Sequence, residues 1–196
     1  NMEENLETVR LAKDYLGNDY IYDEYSTAVY GIMMNTEKSI FKSDKLRYAL
    51  LFASDKSSLS LPFGYSAADG IVAPSVKNSF GSYRDTAGSR TTVKPDEVKA
   101  YSSYQSACEN IDKADLHSVN ILAVQNRDEE IGESLSGILQ QWQAKLGFYC
   151  SISYVSESEY EEKISCGDYT LALTRINGEY NRPEAYLGMF TSGGYK

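Results

Sequence analysis

Residues 118–175, SVNILAVQNRDEEIGESLSGILQQWQAKLGFYCSISYVSESEYEEKISCGDYTLALTR, decide the fold. SVNILAVQ (118–125) is an apolar run of strand length. Ile131, Leu135, Leu139, Trp142 and Leu146 then recur every three or four residues up to Gly147, which predicts one amphipathic helix with a glycine stop. FYCSISYV (148–155) alternates as a strand does. SESEYEEKISCGD (156–168) pairs Ser156 with Glu159, a spacing that satisfies the orphan amides of a first helical turn, and YTLALTR (169–175) returns to strand. The order is β-α-β-α-β. Helical crossovers between short apolar strands imply an α/β fold, a parallel or mixed open sheet with helices packed on it and right-handed connections.

Upstream, residues 5–16 carry Leu6, Val9 and Leu16 at helical spacing, and residues 19–35 run through tyrosines into the strand-like VYGIMMN. In SDKLRYALLFASDK (43–56), Leu46, Ala49, Leu50 and Ala53 form one apolar stripe behind a capping Ser43. Residues 60–94 hold Pro62, Pro74 and GSYRDTAGSRTT, which predicts a long, mobile connection with a short strand near Ile71. From Pro95, PDEVKAYSSYQSACENI predicts a helix opened by proline and acids, with Val98, Tyr101, Cys108 and Ile111 on its buried side.

The chain has 196 residues, 42% of them hydrophobic, enough for one large domain with a real core. A formal net charge of −9 removes the basic footprint that nucleic-acid binding needs. No apolar run approaches the roughly 20 residues that span a bilayer, and NMEENLETVR lacks the pattern of a secretory signal. Asn1 before Met2 reads as an expression remnant, with the natural start of the gene lying upstream.

Cys108, Cys150 and Cys166 make no CxxC pair, and the single His117 has no partner at metal-ligand spacing, so no metal or other cofactor is expected. Cys108 and Cys150 fall on apolar stripes as buried thiols; a Cys150–Cys166 pairing stays open, since spacing does not place their Cα atoms. The 17 tyrosines fit amphipathic strands and rims, or a cleft that grips a peptide or sugar by aromatic faces.

An open α/β sheet binds ligands outside the carboxyl ends of its strands, which directs attention to the loops after Val124, Val155 and Arg175. The last, INGEYNRPEAYLGMF (176–190), combines an acid, an amide-rich turn, a proline and aromatics. Its lone Gly178 is not a phosphate loop. A hydrolase would need a base beside a nucleophile, yet there is one histidine and no G-x-S-x-G; a carboxylate-pair glycosidase remains the enzymatic alternative.

Four stretches together resemble family 5 of the bacterial extracellular solute-binding proteins: YGIMMNTEKSIFKSDKLRYALLFASDK (30–56), DGIVAPSV (69–76), PDEVKAYSSYQSA (95–107) and the run from Val119 into the Tyr-Asn-x-Pro loop. The resemblance implies a continuous lobe of the periplasmic-binding-protein type II kind, residues 1–196, taken from a larger two-lobed protein. It implies a binding role in an ABC importer, with a small peptide as solute and permease subunits as partners. The place would be the extracellular face of the membrane or the periplasm, with any lipid anchor carried on a missing N-terminal signal. A solute-sensing domain of a transcription regulator is the alternative within binding.

Matched through the Tyr-Asn-x-Pro stretch, the resemblance puts Ile176 where peptide-binding members carry a tryptophan, and makes Asn177 and Gly178 the positions that pair with the peptide main chain. Glu179 becomes the acid that receives the peptide's amino group, with Tyr180 beside it. Asn35 and Asp55 read as local backbone partners, Arg47 as a surface arginine paired with an acid, and Arg175 and Arg182 as solvated neighbours of the loop.

Overall fold

The computed structural model describes residues 14, 28–37, 40–62, 64–68, 70–78, 80–87, 93–178 and 182–191. The helix expected over 5–16, apart from Asp14, and the first part of the strand expected over 19–35 lie outside them. Strand β1 (Ala28–Met34) leads through a 3-10 turn to helix α1 (Asp44–Ala53). A two-residue hairpin, β2 (Lys77–Asn78) and β3 (Gly81–Ser82), runs into helix α2 (Tyr83–Ala87). There follow α3 (Glu97–Cys108), α4 (Lys113–Leu116), β4 (Val119–Val124), α5 (Glu129–Ser134) and α6 (Ser136–Leu146). The chain closes with β5 (Cys150–Val155), α7 (Glu157–Ser165), β6 (Leu171–Asn177) and α8 (Glu184–Leu187).

Four strands form one open sheet in the order β1-β6-β4-β5. β4 runs parallel to β5 and β6, while β1 is antiparallel to β6, so the sheet is mixed as the sequence predicts. Pairing of Ile121 with Ile152 and Leu171, and of Leu173 with Ile32, puts one apolar row on one face. That row meets α1, α3 and α6 in the main core, where Leu46, Leu50, Ile121, Leu171 and Phe148 are inaccessible to solvent. Short-range chemistry sets the helix ends. Ser43 Oγ accepts the Leu46 amide, Ser156 Oγ accepts the Glu159 amide, and Gly147 ends α6 in the left-handed region at φ 68°. Trp142 buries its ring and donates from Nε1 to the Leu50 carbonyl at 3.1 Å and Ser54 Oγ at 2.9 Å, tying α6 to the end of α1.

Several expectations are corrected. The single helix over 129–146 is two, because the chain tightens at Leu135, whose amide bonds the carbonyls of both Ile131 and Gly132, while Ser134 Oγ donates back to Glu130 O. The halves pack differently. The Tyr154 hydroxyl lies against Gly132 where a side chain would begin, and a β-carbon on Gly137 would sit 2.7 Å from the Ser58 carbonyl. In α3, Val98 is 80% and Tyr101 55% exposed; the buried face is Ala100, Tyr104 and Ala107. α1 also presents alanines, Ala49 and Ala53, to this core, and the close approach of two alanine faces leaves no room for larger side chains there. Pro95 lies before the helix rather than at its first position, and Asp96 caps α3 by accepting the Lys99 amide at 3.0 Å.

No strand forms at Ile71. Arg84 instead takes the carbonyls of Val72 and Gly70, and Val72, Ala73 and Val76 bury in a second, smaller core with Val29, Ile176 and Tyr186. Asn35 is not merely local: its Nδ2 donates to the Gly167 and Tyr169 carbonyls, binding the end of β1 to the approach to β6, while its Oδ1 takes the Glu37 amide. Arg47 bonds the carbonyls of Phe41 and Lys42 rather than an acid. Asp55 is local as expected, accepting the Ser57 amide. All three cysteines are free thiols, Cys166 exposed and the other two partly buried.

Two outcomes test this packing. Ala100→Leu should destabilise the fold by about 1–3 kcal/mol through overpacking, whereas Val98→Ser should stay within about 0.5 kcal/mol; urea titration decides, and the reverse ranking would restore the other face. Burial pushes the Cys150 thiol from its ordinary 9.0 up to about 12, and burial with the adjoining Cys108 pushes the Tyr104 phenol from 10.0 up to about 12. Both are neutral acids with folded pKa above unfolded. The folded chain therefore keeps protons that the unfolded chain releases, and the stabilisation present below about pH 9 is lost as pH climbs toward 12. The urea midpoint should fall between pH 8 and pH 11, and fall less in Cys150→Ala.

Candidate functional site at the carboxyl edge of the sheet

β4 leaves the sheet through Gln125, Asn126 and Arg127, with Asn126 at φ 63°. This left-handed residue turns the chain sharply enough to bring Asp128 back under the strand it has just left. Asp128 is fully buried, and its Oδ2 accepts the Val124 amide at 2.8 Å. Arg127 Nε bonds the other carboxylate oxygen at 2.9 Å, and Arg127 Nη1 reaches Glu157 on α7 at 2.8 Å. The guanidinium lies 5.6 Å over the Tyr160 ring. Bonding to Asp128 raises the arginine's pKa against the opposing effect of partial burial, and burial raises that of the Tyr160 phenol.

These contacts end the β4–β6 ladder. The Thr170 carbonyl accepts the Asn35 amide, so along this strand the even-numbered peptide groups turn toward β1 and, by alternation, the odd ones toward β4. Pairing between β4 and β6 covers only Ile121 with Leu171 and Leu122 with Ala172. The next rung would join the Val124 amide to the Leu173 carbonyl. Both groups are diverted: Val124 donates to Asp128, and Leu173 O accepts the Tyr160 hydroxyl at 3.0 Å. β6 nevertheless continues to Asn177, still paired with β1 as far as Ala28. Among the described residues, no strand flanks β6 on its β4 side beyond Ala172. Above this stretch Tyr30 and Tyr65 stand 6.2 Å apart, with the Arg175 guanidinium 5.9 Å over Tyr30.

The model of the bacterial extracellular solute-binding proteins, family 5 Middle, matches residues 3–196. The chain belongs to this family. It is a family of solute-binding proteins rather than enzymes. No curated protein sequence matches significantly. Solved structures share the fold: the substrate-binding domain of an oligopeptide ABC transporter from Bacillus anthracis (23% identity, TM-score 0.71, 93% of this chain and 36% of that one), the pheromone receptor PrgZ (20%, 0.70, 93% and 36%) and OppA of Listeria monocytogenes bound to peptide (17%, 0.69, 92% and 38%). The chain spans little more than a third of these relatives.

As for the expected site residues of this family 5 chain, Ile176 and Asn177 are not in a loop but in the last two positions of β6. Ile176 faces the second core, 7% exposed, beside Val29 and Tyr186. Asn177 is exposed, and Gly178 follows directly, with a β-carbon there overlapping the Tyr186 ring. Glu179 and Tyr180 lie outside the described residues; Arg182 is exposed. Sequence reasoning missed Asp128, Tyr160, Tyr30 and Tyr65. Asp128 stands in NRDEE, where its acid looks like any solvated member of a helix start, and only burial sets it apart.

Asp128→Ala should cost about 2–3 kcal/mol in urea unfolding, since it leaves a buried amide unsatisfied and removes a partner from an arginine that is one-third exposed. Asp128→Asn, which keeps an acceptor for Val124, should cost less, and the Val124 amide should exchange faster only in the alanine variant. Equal effects would show that the charge, not the capped amide, matters.

Proposed function

We propose that this chain supplies one lobe of a two-lobed, peptide-binding component of an ABC importer, and that peptide is captured by adding a strand to β6. The observation that carries the reading is the carboxyl-end stretch of β6 that runs past its β4 partner. A main-chain edge is sequence-tolerant, because it bonds the peptide groups every peptide has, and side-chain pockets add selectivity. The diverted Val124 amide and Leu173 carbonyl keep β4 from extending over that edge. The tyrosine and arginine cluster beside it offers apolar ring faces and positive charge to side chains alternating along an extended ligand.

The remaining length of the solved relatives supports a second lobe that closes over the ligand. Closure matters energetically, because an edge open to water leaves each new hydrogen bond in competition with solvent. On this reading the permease partners and the extracellular or periplasmic location follow the family. Glu179 receives the peptide's amino group one residue beyond Gly178, as a charge-assisted bond in a closed cleft.

The test uses the full-length protein and a pool of random tri- to pentapeptides with free amino termini. Glu179→Gln should weaken binding by about 10- to 100-fold, acetylating the pool should do the same to the wild type, and the two changes should not add. Independent effects, or an unchanged affinity in the Gln variant, would make Glu179 a solvated acid and remove it from the site.

A further inference from the structure

Arg175 stands where the buried row of β6 runs out. Leu171 and Leu173 of that row are buried, and the next position on the same face is Arg175, partly buried. An aliphatic residue would continue the row, so the core does not call for a cation here. The Arg175 Nε is inaccessible to solvent. The guanidinium is therefore held from its base, and is not the solvated neighbour of the loop that the sequence suggests.

Strand register places it. Tyr30 of β1 lies directly opposite Arg175. The Asn35 amide bonds the Thr170 carbonyl, which turns the even-numbered peptide groups of β6 toward β1. Tyr30 and Arg175 thus form one of the pairs without main-chain bonds between them, in which opposite side chains approach most closely. Accordingly the guanidinium lies 5.9 Å over the Tyr30 ring, and Tyr65 of the connection stands 6.2 Å from that ring. Both tyrosines pack against the main core. The same alternation turns the main-chain groups of Arg175 to the side that β4 leaves uncovered. A strand added there has a residue opposite Arg175, about 5 Å away, whose side chain emerges on the same face as the guanidinium.

We propose that Arg175 forms a subsite for an acidic side chain of the captured peptide, glutamate or aspartate, with Tyr30 and Tyr65 as its aromatic wall. A planar guanidinium carries five donors and takes a carboxylate through two parallel bonds, and a ring over one face keeps water from that side. The neighbouring buried acid is committed elsewhere, since Asp128 Oδ1 is bonded by Arg127 Nε and Oδ2 by the Val124 amide. Arg127 is matched in turn by Asp128 and Glu157. In a chain of net charge −9 the general field disfavours acidic peptides, so a preference for one acidic position has to come from a placed cation.

The subsite rests on the strand-addition reading, and the experiment separates the two. The full-length protein is titrated with tri- to pentapeptide pools in which one position at a time is fixed as Glu or as Gln. At one position the Glu pool should bind about tenfold more tightly than its Gln counterpart, and at the others no such preference should appear. In Arg175→Gln that ratio should fall to about one, in Arg175→Lys it should shrink but persist, and in Arg175→Glu a Lys pool should replace the Glu pool as the preferred one. Equal binding of Glu and Gln pools by the wild type at every position overturns the subsite while strand addition stands, and needs no variant to fold. A Glu preference that survives Arg175→Gln overturns the assignment to Arg175. If the wild type binds none of the pools, strand addition itself has failed, and this inference falls with it.

Discussion

The carboxyl edge of the sheet depends on one buried carboxylate. Asp128 accepts the amide of Val124, four residues behind it, and holds Arg127, so β4 stops pairing where its chain still points along the sheet. Burying an acid is costly unless its oxygens are satisfied, and here both are, by an amide and a guanidinium. The same arginine reaches Glu157 and covers Tyr160, whose hydroxyl occupies the Leu173 carbonyl. One turn after β4 thereby fixes α7, ends the ladder on both strands and leaves β6 projecting beyond its parallel neighbour.

A projecting strand needs support from elsewhere, and the fold supplies it on two sides. β1 pairs with β6 along its whole length, anchored at its far end by Asn35, whose side chain bonds the carbonyls of Gly167 and Tyr169. Near the free end, the second core of Val29, Val72, Ala73, Val76, Ile176 and Tyr186 packs the strand against the connection and α8. Arg84 and Lys56 satisfy carbonyls of that connection with long side chains, so a segment without regular structure still forms one wall of a core. A strand edge built this way is held on two sides and still carries main-chain groups outward, which is what the proposed strand addition relies on.

In the helical layer, close approach joins the Trp142 hydrogen bonds in setting the packing. α1 and α3 meet through alanines, and Gly132 and Gly137 admit the Tyr154 hydroxyl and the Ser58 carbonyl where side chains would otherwise stand. These contacts explain why the helical stripe over 129–146 divides at Leu135, for each half follows a different neighbour.

The sequence by itself determined the elements whose causes lie within a few residues. The α/β alternation, the Ser43 and Ser156 caps, the Gly147 stop and the mixed character of the sheet were all legible, because a capping oxygen and its amide, or an apolar stripe and its period, are close in the chain. Tertiary structure alone decided which face of α3 is buried, that Arg47 bonds carbonyls, that Asn35 binds groups more than 130 residues away, and that Asp128 is a buried ladder stop rather than a solvated acid. It also decided that Ile176 faces a core while the next residue faces outward at the edge. The physical reason is common to all of these. Whether a polar group is solvated, capped or buried depends on what packs against it, and those partners come from elements far away in the chain.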